Sequence, residues 1–525
     1  MQQMLLVLQL ACQPIAFADS NLPLVTVDTH GREVVEEAPP DNEVIATLRI
    51  IADPSGGRNA LTDPAVFQGP VKIEIRGQSS AGFEKKQYGF ETRQTAVPGG
   101  PDAQVSLLGM PAEEDWILQG NHRDRSLIRN VLVYDLARKF GHYASRTAFV
   151  ELFLNETGNP DIANCYAGVY VLMEKLKRDS GRINVSRVTD ADVTGGYVVK
   201  IDKGDDPGFT PTISGKKIQH AYPKGADITA AQSAYLIGFF EDFEQALDGP
   251  DFEDPTSGYA AYIDTDAFVD YFIINELFKN VDAYRISTYM HKGRGQTLRM
   301  GPVWDYDLSS ANSFGLGANR ADGWIFDASD GPPFWWRRLA QSETFIDRVI
   351  ARWKQLRAGH LSVATLFASI DALTAQLTEA QARNFTRWPI LGVDWAGDPV
   401  DSPTHLGEVQ ELKDFLAARM IWLDENWVSL LPNTVIGRPT LLRVHDVGTG
   451  YGPPEDAINV EVVVQIDTVP GRAFGFKLRS GDEEHTHKGM LNLLRVAFQR
   501  NARLRIDYTA AGPQNAYLRR VMLWP

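Results

Sequence analysis

Three aspartates in one stretch of the chain are candidates for metal-dependent phosphoryl transfer. Asp282 precedes a predicted hairpin over 287–306 that turns at 293–296, and Asp305 and Asp307 lie at the end of its return strand. Paired positions in this hairpin should have numbers that sum to about 589, which places Asp282 opposite Asp307. Asp305 and Asp307 are two residues apart, so on an extended backbone both side chains point to one face.

Carboxylates that converge in this way repel one another and raise each other's pKa unless a cation neutralises them. Hard divalent cations with oxygen ligands are the usual solution. Phosphoryl transfer needs such an ion and a carboxylate that orients the attacking hydroxyl. The alternative is that Asp282 and Asp307 are turn and cap residues of a surface hairpin that binds nothing. The residues alone leave both interpretations open.

The elements that must position these aspartates are one helix and two strands. A helix is predicted over 264–280, and its apolar residues are dense enough to indicate burial. Strands are predicted over 287–292 and 297–306, and the glycines between them allow the turn because glycine adopts positive φ at little cost. A buried helix directly before Asp282 suits a site that needs rigid support.

The rest of the chain divides by composition into three parts. Residues from about 20 to 205 are rich in predicted strands, and residues from about 206 to 432 are mainly helical. From 433 to 525, short alternating runs recur, interrupted by one predicted helix over 488–499. These runs predict a separate small all-β barrel or sandwich module.

Composition and charge restrict the classes of partner. The chain has 525 residues, of which 44% are hydrophobic and 23% charged, as expected of a globular protein with several domains. Its net charge of −15 argues against a nucleic-acid or anionic-membrane partner. Beyond the first residues, no apolar stretch approaches the length of a transmembrane helix. The oligomeric state cannot be inferred from the sequence.

Residues 1–18 have the features of a secretory signal peptide. An apolar run is followed by Ala16-Phe17-Ala18 before Asp19, which fits an A-x-A cleavage site. Lipid attachment at Cys12 is less favoured, because Gln9 stands where leucine is expected. Cleavage after Ala18 would leave one thiol, Cys165. We therefore predict a secreted, periplasmic or cell-surface protein.

Four groups of residues follow one another in an order that is specific when they occur together. They are Arg76-Gly77-Gln78-Ser79-Ser80 with Lys85-Lys86-Gln87-Tyr88; Trp116, Leu118, Asn121, Asp124, Arg129 and Asn130; Tyr166 to Glu174; and Asn280-Val281-Asp282 with Gly301 to Asp307. In these groups, from about residue 22 to 430, the chain resembles the CotH family of spore-coat-protein-H kinase-like proteins. The module from 433 onward lies outside the resemblance.

The resemblance implies an α+β fold with a two-lobed, protein-kinase-like domain and ATP-dependent phosphorylation of serine or threonine on secreted, coat or surface proteins. It implies ATP with Mg²⁺, or with Mn²⁺ or Ca²⁺, as cofactors. It assigns Asp282 as the catalytic residue, Asp305 and Asp307 as metal ligands, and Arg76, Lys85, Lys86 and Glu174 as contacts of the nucleotide. Ser287-Thr288 depart from the family where members often have Asn, which could be a second metal ligand.

Two other functions are compatible with the sequence. One is a non-catalytic surface or matrix protein that uses the kinase-like scaffold, with the terminal module as its binding end. The other is a metal-dependent hydrolase or nuclease that uses the same carboxylates, although no accompanying His or Lys signature supports it. The presence of Asp282, Asp305 and Asp307 together favours the kinase, since a scaffold needs none of them.

Overall fold

The computed structural model divides into two compact units. It describes residues 15–36, 42–327, 331–393, 402–430, 433–446, 448, 450–453, 456–478 and 484–524. The N-terminal unit comprises residues up to Leu339 together with Arg348–Glu425, and the C-terminal unit comprises Ala340–Asp347 together with residues from Asn426 onward. Most of the predicted signal peptide, including Cys12, lies outside the described residues, and its cleavage stays a prediction.

A closed barrel of seven strands forms the first part of the N-terminal unit. The strands are β1 (Leu24–Asp28), β2 (Ile45–Ile51), β3 (Phe67–Arg76), β4 (Gln87–Thr92), β5 (Asp115–Gln119), β6 (Thr147–Asn155) and β7 (Tyr166–Glu174). They pair in the order β1-β2-β3-β4-β5-β7-β6, and parallel pairing of β6 with β1 closes the barrel. The other neighbours are antiparallel.

Alternation along the strands decides which side chains enter the barrel. In β3, Val71 and Ile73 belong to the buried core, whereas Lys72, Glu74 and Arg76 remain partly exposed. This period of two is expected of a strand with one buried face and one polar face. The outer face of the barrel, which carries the second set, provides one side of the candidate site described below.

A second sheet of five strands follows the barrel in sequence. Its strands are β8 (Tyr197–Ile201), β9 (Gly208–Phe209), β10 (Ile218–Tyr222), β11 (Thr288–Lys292) and β12 (Leu298–Met300). They lie in the order β12-β11-β8-β10-β9. The predicted hairpin therefore exists as β11 and β12. Strand β11 also pairs with β8 in antiparallel orientation, which places it between β8 and β12.

The return strand of this hairpin is much shorter than the predicted 297–306. Met290 pairs with Met300 and Lys292 with Leu298, one residue away from the predicted register. The strand ends at Met300 because Gly301-Pro302 follow, and proline cannot donate a ladder hydrogen bond. The predicted cross-strand pairing of Asp282 with Asp307 is therefore wrong.

The structure describes eight α-helices in the chain up to Asn426. They are α1 (Arg129–Lys139), α2 (Ala230–Asp248), α3 (Thr265–Phe278), α4 (Trp335–Leu339), α5 (Glu343–Arg357), α6 (Val363–Gln376), α7 (Ala380–Arg387) and α8 (His405–Asn426). In the described chain, none of the helices combines the length and apolar character needed to cross a bilayer.

Helix α3 is the support predicted for the aspartates. Asp264 caps its start by accepting a hydrogen bond from the backbone N–H of Ala267, and Lys279 ends it in the left-handed region at φ +44°. Every residue from Ala267 to Phe278 is buried. A helix that is buried on all sides belongs to the interior, so the segment that follows Lys279 begins from a fixed point.

The C-terminal unit is a six-stranded sheet with a helix against it. Its elements are β13 (Asn433–Gly437), β14 (Pro439–Val444), β15 (Gly450–Tyr451), β16 (Ile458–Asn459), β17 (Val462–Ile466), β18 (Ala473–Phe476), α9 (Glu484–Arg500), β19 (Arg503–Ala510) and β20 (Asn515–Trp524). The sheet has the order β13-β19-β20-β18-β17-β14, and β15 pairs with β16.

This unit differs from the all-β barrel or sandwich that the sequence predicts. The apolar residues of α9 recur at helical spacing, and its buried members join the core formed by the sheet. They are Met490, Leu491, Leu494 and Ala497. The unit is therefore α+β, because a helix of 17 residues covers the sheet where further strands were expected.

Candidate active site

One cavity of about 470 Å³ is lined by all three candidate aspartates. Asp282 follows α3, whereas Asp305 and Asp307 follow β12, so the carboxylates reach the cavity from two segments. The outer face of the barrel contributes Arg76 from β3, and the second sheet contributes Lys200 from β8. The volume is within the range of pockets that hold small ligands and cofactors.

Hydrogen bonds to the backbone of Asp305 join these two segments. Its φ is +65°, so the D-x-D segment is not the extended strand that the sequence predicts. The Asp305 N–H donates to Tyr134 Oη at 3.2 Å, and its carbonyl accepts from Asn280 Nδ2 at 3.1 Å. Ser287 Oγ donates to Asp305 Oδ2 at 3.3 Å. Because Asn280 is two residues from Asp282, this arrangement brings the aspartates together without strand pairing.

Helix α1 holds the segment around Asp305 through side chains that bond its backbone. Tyr134 belongs to this helix, and Asn130 Oδ1 accepts a hydrogen bond from the N–H of Tyr306 at 2.7 Å. The carbonyl of Asp307 accepts from Asn312 Nδ2 at 2.6 Å. The sequence singles out Asn130 only through its motif, and Tyr134 not at all. Both residues hold the segment that carries Asp305 and Asp307, and Tyr134 also lines the cavity.

Strained backbone is concentrated in this region. Seven of the twelve non-glycine residues with positive φ in the described chain lie between 279 and 316. Such conformations persist only where the surrounding structure holds them, and they cluster at functional sites. The observation supports a site here independently of residue chemistry.

The electrostatics of the cavity favour the binding of a positive charge. Burial, and then the charge of Asp305, raise the pKa of Asp282 to about 6, although Arg285 lies 3.2 Å from its carboxylate. The pKa of Asp307 is raised well above its usual range by burial, by the charge of Asp305 and by a hydrogen bond with it. Neighbouring carboxylates whose pKa values are raised in this way favour the binding of a cation between them.

The donor set of this cavity fits a hard divalent cation. Asp305 and Asp307 offer carboxylate oxygens that share a hydrogen bond, and Asp282 faces the same space. The three are spaced more widely than a group whose oxygens all lie within 4.8 Å. Mg²⁺ usually binds through one or two carboxylates and keeps several waters, so this wider spacing suits it.

A different acidic cluster meets that closer spacing but is already neutralised. Glu113, Glu114 and Asp115 are the one group of three in the described residues whose ligand atoms lie within 4.8 Å of one another. Lys177 Nζ lies 2.6, 2.7 and 2.6 Å from their carboxylates. We therefore interpret the cluster as an ion-pair network at the start of β5 rather than a metal site.

Basic side chains line the cavity together with the aspartates. Lys200 Nζ lies 3.3 Å from Asp202 and 3.1 Å from Asp206, all three lining the cavity. Lys203 Nζ donates to Ser79 Oγ at 3.3 Å, which joins two loops at the cavity. Arg76 and Arg123 complete the set. Only Arg76 was predicted; Lys200 carries no motif signal beyond its place on the polar face of a strand.

The predicted nucleotide-binding lysines do not reach this cavity. Lys85 is buried, and its Nζ donates to the carbonyl of Val169 at 2.6 Å and to Asn384 Oδ1 at 2.8 Å. Burial lowers the pKa of Lys85 well below its usual range. Lys86 Nζ donates to the carbonyl of Ala81 at 2.6 Å and so holds the loop after β3. Both lysines support structure around the site.

Glu174 also points away from the cavity. It pairs with Trp116 across β5 and β7, and alternation turns its side chain to the face opposite that of Met173, which does line the cavity. Its carboxylate is buried and lies 2.6 Å from Arg146 Nη1. The structure thus brings Arg76, Asp282, Asp305 and Asp307 together and leaves out Lys85, Lys86 and Glu174.

Comparison with known protein families identifies one family for this chain. A family model described as CotH kinase protein matches residues 73–423, a range that contains every residue lining the cavity. No curated protein matches the chain. Among solved structures, the crystal structure of a Helicobacter pylori proinflammatory kinase, CtkA, is 10% identical over 62% of this chain and 94% of that chain, with a TM-score of 0.29.

Proposed function

Because the chain belongs to the CotH kinase family, we propose that it transfers the γ-phosphate of ATP to a serine or threonine hydroxyl with the help of a divalent cation. The observation that carries this proposal is the single cavity lined by Asp282, Asp305 and Asp307 together with the cations Arg76 and Lys200. A cavity with both signs of charge suits a nucleotide triphosphate and its metal ion.

Each residue has a separate task in this proposal. Asp305 and Asp307 hold the cation, which supplies neutralisation of phosphate charge when bound. Lys200 and Arg76 bind phosphate oxygens through charge-assisted hydrogen bonds. Asp282 orients the acceptor hydroxyl and accepts its proton.

The transfer step is a simple exchange of bonds. The acceptor oxygen forms a bond to the γ-phosphorus, and the bond between that phosphorus and the bridging oxygen breaks. The electron pair remains on ADP, and the hydroxyl proton passes to the Asp282 carboxylate. The acceptor is proposed to be a secreted, coat or surface protein, or the chain itself, and the leader-like residues 1–18 support a secreted or surface location.

The test is incubation of the full chain with γ-labelled ATP and Mg²⁺ or Mn²⁺, followed by mapping of label on the chain and on co-secreted proteins. We expect label on serine or threonine only when the divalent cation is present. Asp282→Asn should still bind ATP but should lose at least about a hundredfold in transfer rate, since general-base assistance typically supplies that much. If the unaltered chain binds no ATP with either cation, the proposal fails and the non-catalytic scaffold remains.

A further inference from the structure

Two glutamines face each other on the barrel side of the cavity. Tyr88 pairs with Leu118 across β4 and β5, so the next position along this antiparallel register places Gln87 beside Gln119. Both residues lie on the outer face of the barrel and line the cavity. Apolar contact surface is available next to them from Met173 and Phe83.

The Gln119 amide is buried without a protein partner for its oxygen. The residue is 6% exposed, and its Oε1 has no hydrogen-bond partner among the described residues. A buried amide oxygen without a donor is costly, and native proteins rarely leave one unless a ligand or water completes it. The neighbouring Gln87 is different, because its Oε1 accepts from Arg76 Nη1 at 3.4 Å.

We propose that Gln119, beside Gln87, hydrogen-bonds the C6 edge of a purine base, while Met173 and Phe83 contact the ring. This inference rests on the proposed function and adds the recognition of the base to it. A glutamine amide offers a donor and an acceptor side by side, which matches adjacent polar atoms on a purine edge. An apolar wall with a few placed polar groups is the usual form of such a subsite.

The lack of a partner for Oε1 has a consequence for selectivity. No described group fixes which way the amide is turned, so it can present its oxygen to a 6-amino purine or its NH₂ to a 6-oxo purine. ATP and GTP should therefore bind with affinities within about threefold of each other. Purine riboside triphosphate, which has only hydrogen at C6, should bind about tenfold more weakly, the effect of one lost hydrogen bond.

The experiment measures dissociation constants of the full chain for four ligands with Mg²⁺: ATP, GTP, purine riboside triphosphate and inorganic tripolyphosphate. Gln119→Leu should weaken ATP and GTP about tenfold and leave tripolyphosphate unchanged. Gln119→Glu should favour ATP over GTP by about tenfold or more, because an ionised carboxylate only accepts hydrogen bonds. Gln104→Leu, an exposed glutamine paired with Glu114, is the matched control and should change none of these values.

Several results would overturn the inference. Equal loss of ATP and tripolyphosphate binding in Gln119→Leu would indicate a purely structural role, and an unchanged ATP-to-GTP ratio in Gln119→Glu would exclude base contact. If the unaltered chain binds purine riboside triphosphate as tightly as ATP, base recognition at C6 is refuted while the kinase proposal stands, and this comparison needs no variant. If it binds neither tripolyphosphate nor any nucleotide, both proposals fail.

Discussion

At the scale of single residues, the site depends on Asp305 more than on its neighbours. Its carboxylate accepts from Ser287 and hydrogen-bonds with Asp307, its carbonyl accepts from Asn280, and its charge contributes to the raised pKa of Asp282. One side chain is therefore coupled to both the proposed base and the second proposed ligand. Removing it should change cation binding first and chemistry second.

Asp305→Ala should abolish divalent-dependent ATP binding, with at least a hundredfold loss of affinity, because the remaining Asp307 offers only half of the proposed ligand pair. The measurement is titration of MgATP, and of Mn²⁺ alone, into the full chain. Asp205→Ala is the matched control, since Asp205 lies on a nearby loop, is fully exposed and pairs with Lys217. Retention of cation-dependent binding in the Asp305 variant would remove it from the metal site.

The lysines provide a second prediction at this scale. Lys200→Met should weaken ATP binding about tenfold or more, because it removes a charge-assisted phosphate contact. Lys85→Met should leave ATP affinity unchanged but lower the free energy of unfolding by about 1–3 kcal/mol, because it leaves the Val169 carbonyl without its buried donor. The measurements are the ATP affinity and the denaturant unfolding of both variants. If Lys85→Met weakened ATP binding and Lys200→Met did not, Lys85 would be the lysine that contacts the nucleotide.

The predicted convergence of Asp282, Asp305 and Asp307 occurs at one cavity, whereas Lys85, Lys86 and Glu174 do not line that cavity. Their roles as ligands stay predictions, and the difference in placement has one physical reason. Acidic side chains two residues apart, next to a turn, can reach one cavity over a range of backbone geometries, and Asp305 and Asp307 do so even with a left-handed residue. A single side chain on a strand depends on the register much more strongly, because a shift of one residue turns it to the opposite face of the sheet. Glu174 and Met173 differ by one position, and only a register that no motif encodes shows that Met173 faces the cavity.

At the scale of elements, helix α8 carries a buried carboxyl that is poorly satisfied. Glu408 is fully buried, both its side-chain oxygens lack hydrogen-bond partners among the described residues, and Arg125 Nη1 is 3.8 Å away. Burial raises the pKa of Glu408 to about 7, against the opposing effect of Arg129 and Arg125. The folded chain thus holds a proton here over a range in which the unfolded chain has lost it.

This sets the sign of a pH dependence. Between about pH 4.5 and 7 the folded state binds more protons than the unfolded state at this group, so the free energy of unfolding falls as pH rises and is constant above 7. Glu408→Gln should remove this loss, and its stability relative to the unaltered chain should be about 1–3 kcal/mol greater at pH 8 than at pH 4.5. Urea unfolding at the two pH values measures it. Glu425→Gln, exposed on the same helix, is the control, and an equal effect in both variants would contradict the assignment.

Elements with strong periodic signals were predictable, and their ends were not. Helix α3 and both strands of the β11–β12 hairpin were expected from the pattern of apolar residues and from the residues of the turn. The return strand was overextended because alternation continues past Met300, whereas Pro302 stops the ladder there. In the C-terminal unit, α9 was recognised as a helix but treated as an interruption, although its apolar stripe is what completes the core of that unit.

At the scale of the whole molecule, the candidate site belongs to one unit alone. All residues lining the cavity lie between Arg76 and Leu308, inside the N-terminal unit and inside the family match. The C-terminal unit begins after Glu425 and takes in Ala340–Asp347, whose Glu343 is bonded by Arg505 and Arg520. The sequence predicts that a strand-rich module begins near Pro432-Asn433. It does not reveal that Ala340–Asp347 belong to the same unit, because no local pattern in those residues indicates it.

A chain that stops after residue 425 should bind MgATP within about threefold of the full-length affinity, because it keeps every cavity residue. It should also melt at a lower temperature, because Glu343 loses both arginine partners. Titration calorimetry and thermal melting of the two chains measure the two effects. A full chain with Glu343→Gln is the control for the ion pairs. Loss of nucleotide binding on truncation alone would show that the C-terminal unit contributes to the site.

The left-handed residues around the aspartates restrict how this segment can drift in evolution. Ser287 at φ +49° and Tyr284 at φ +69° must satisfy a backbone requirement as well as a side-chain one. A mutation to valine or isoleucine at Ser287 is therefore disfavoured even if the hydroxyl proves dispensable, whereas asparagine, aspartate and glycine remain accessible. Related chains that have lost catalysis should therefore keep serine, asparagine, aspartate or glycine at the position of Ser287 even where the acidic side chains have been replaced.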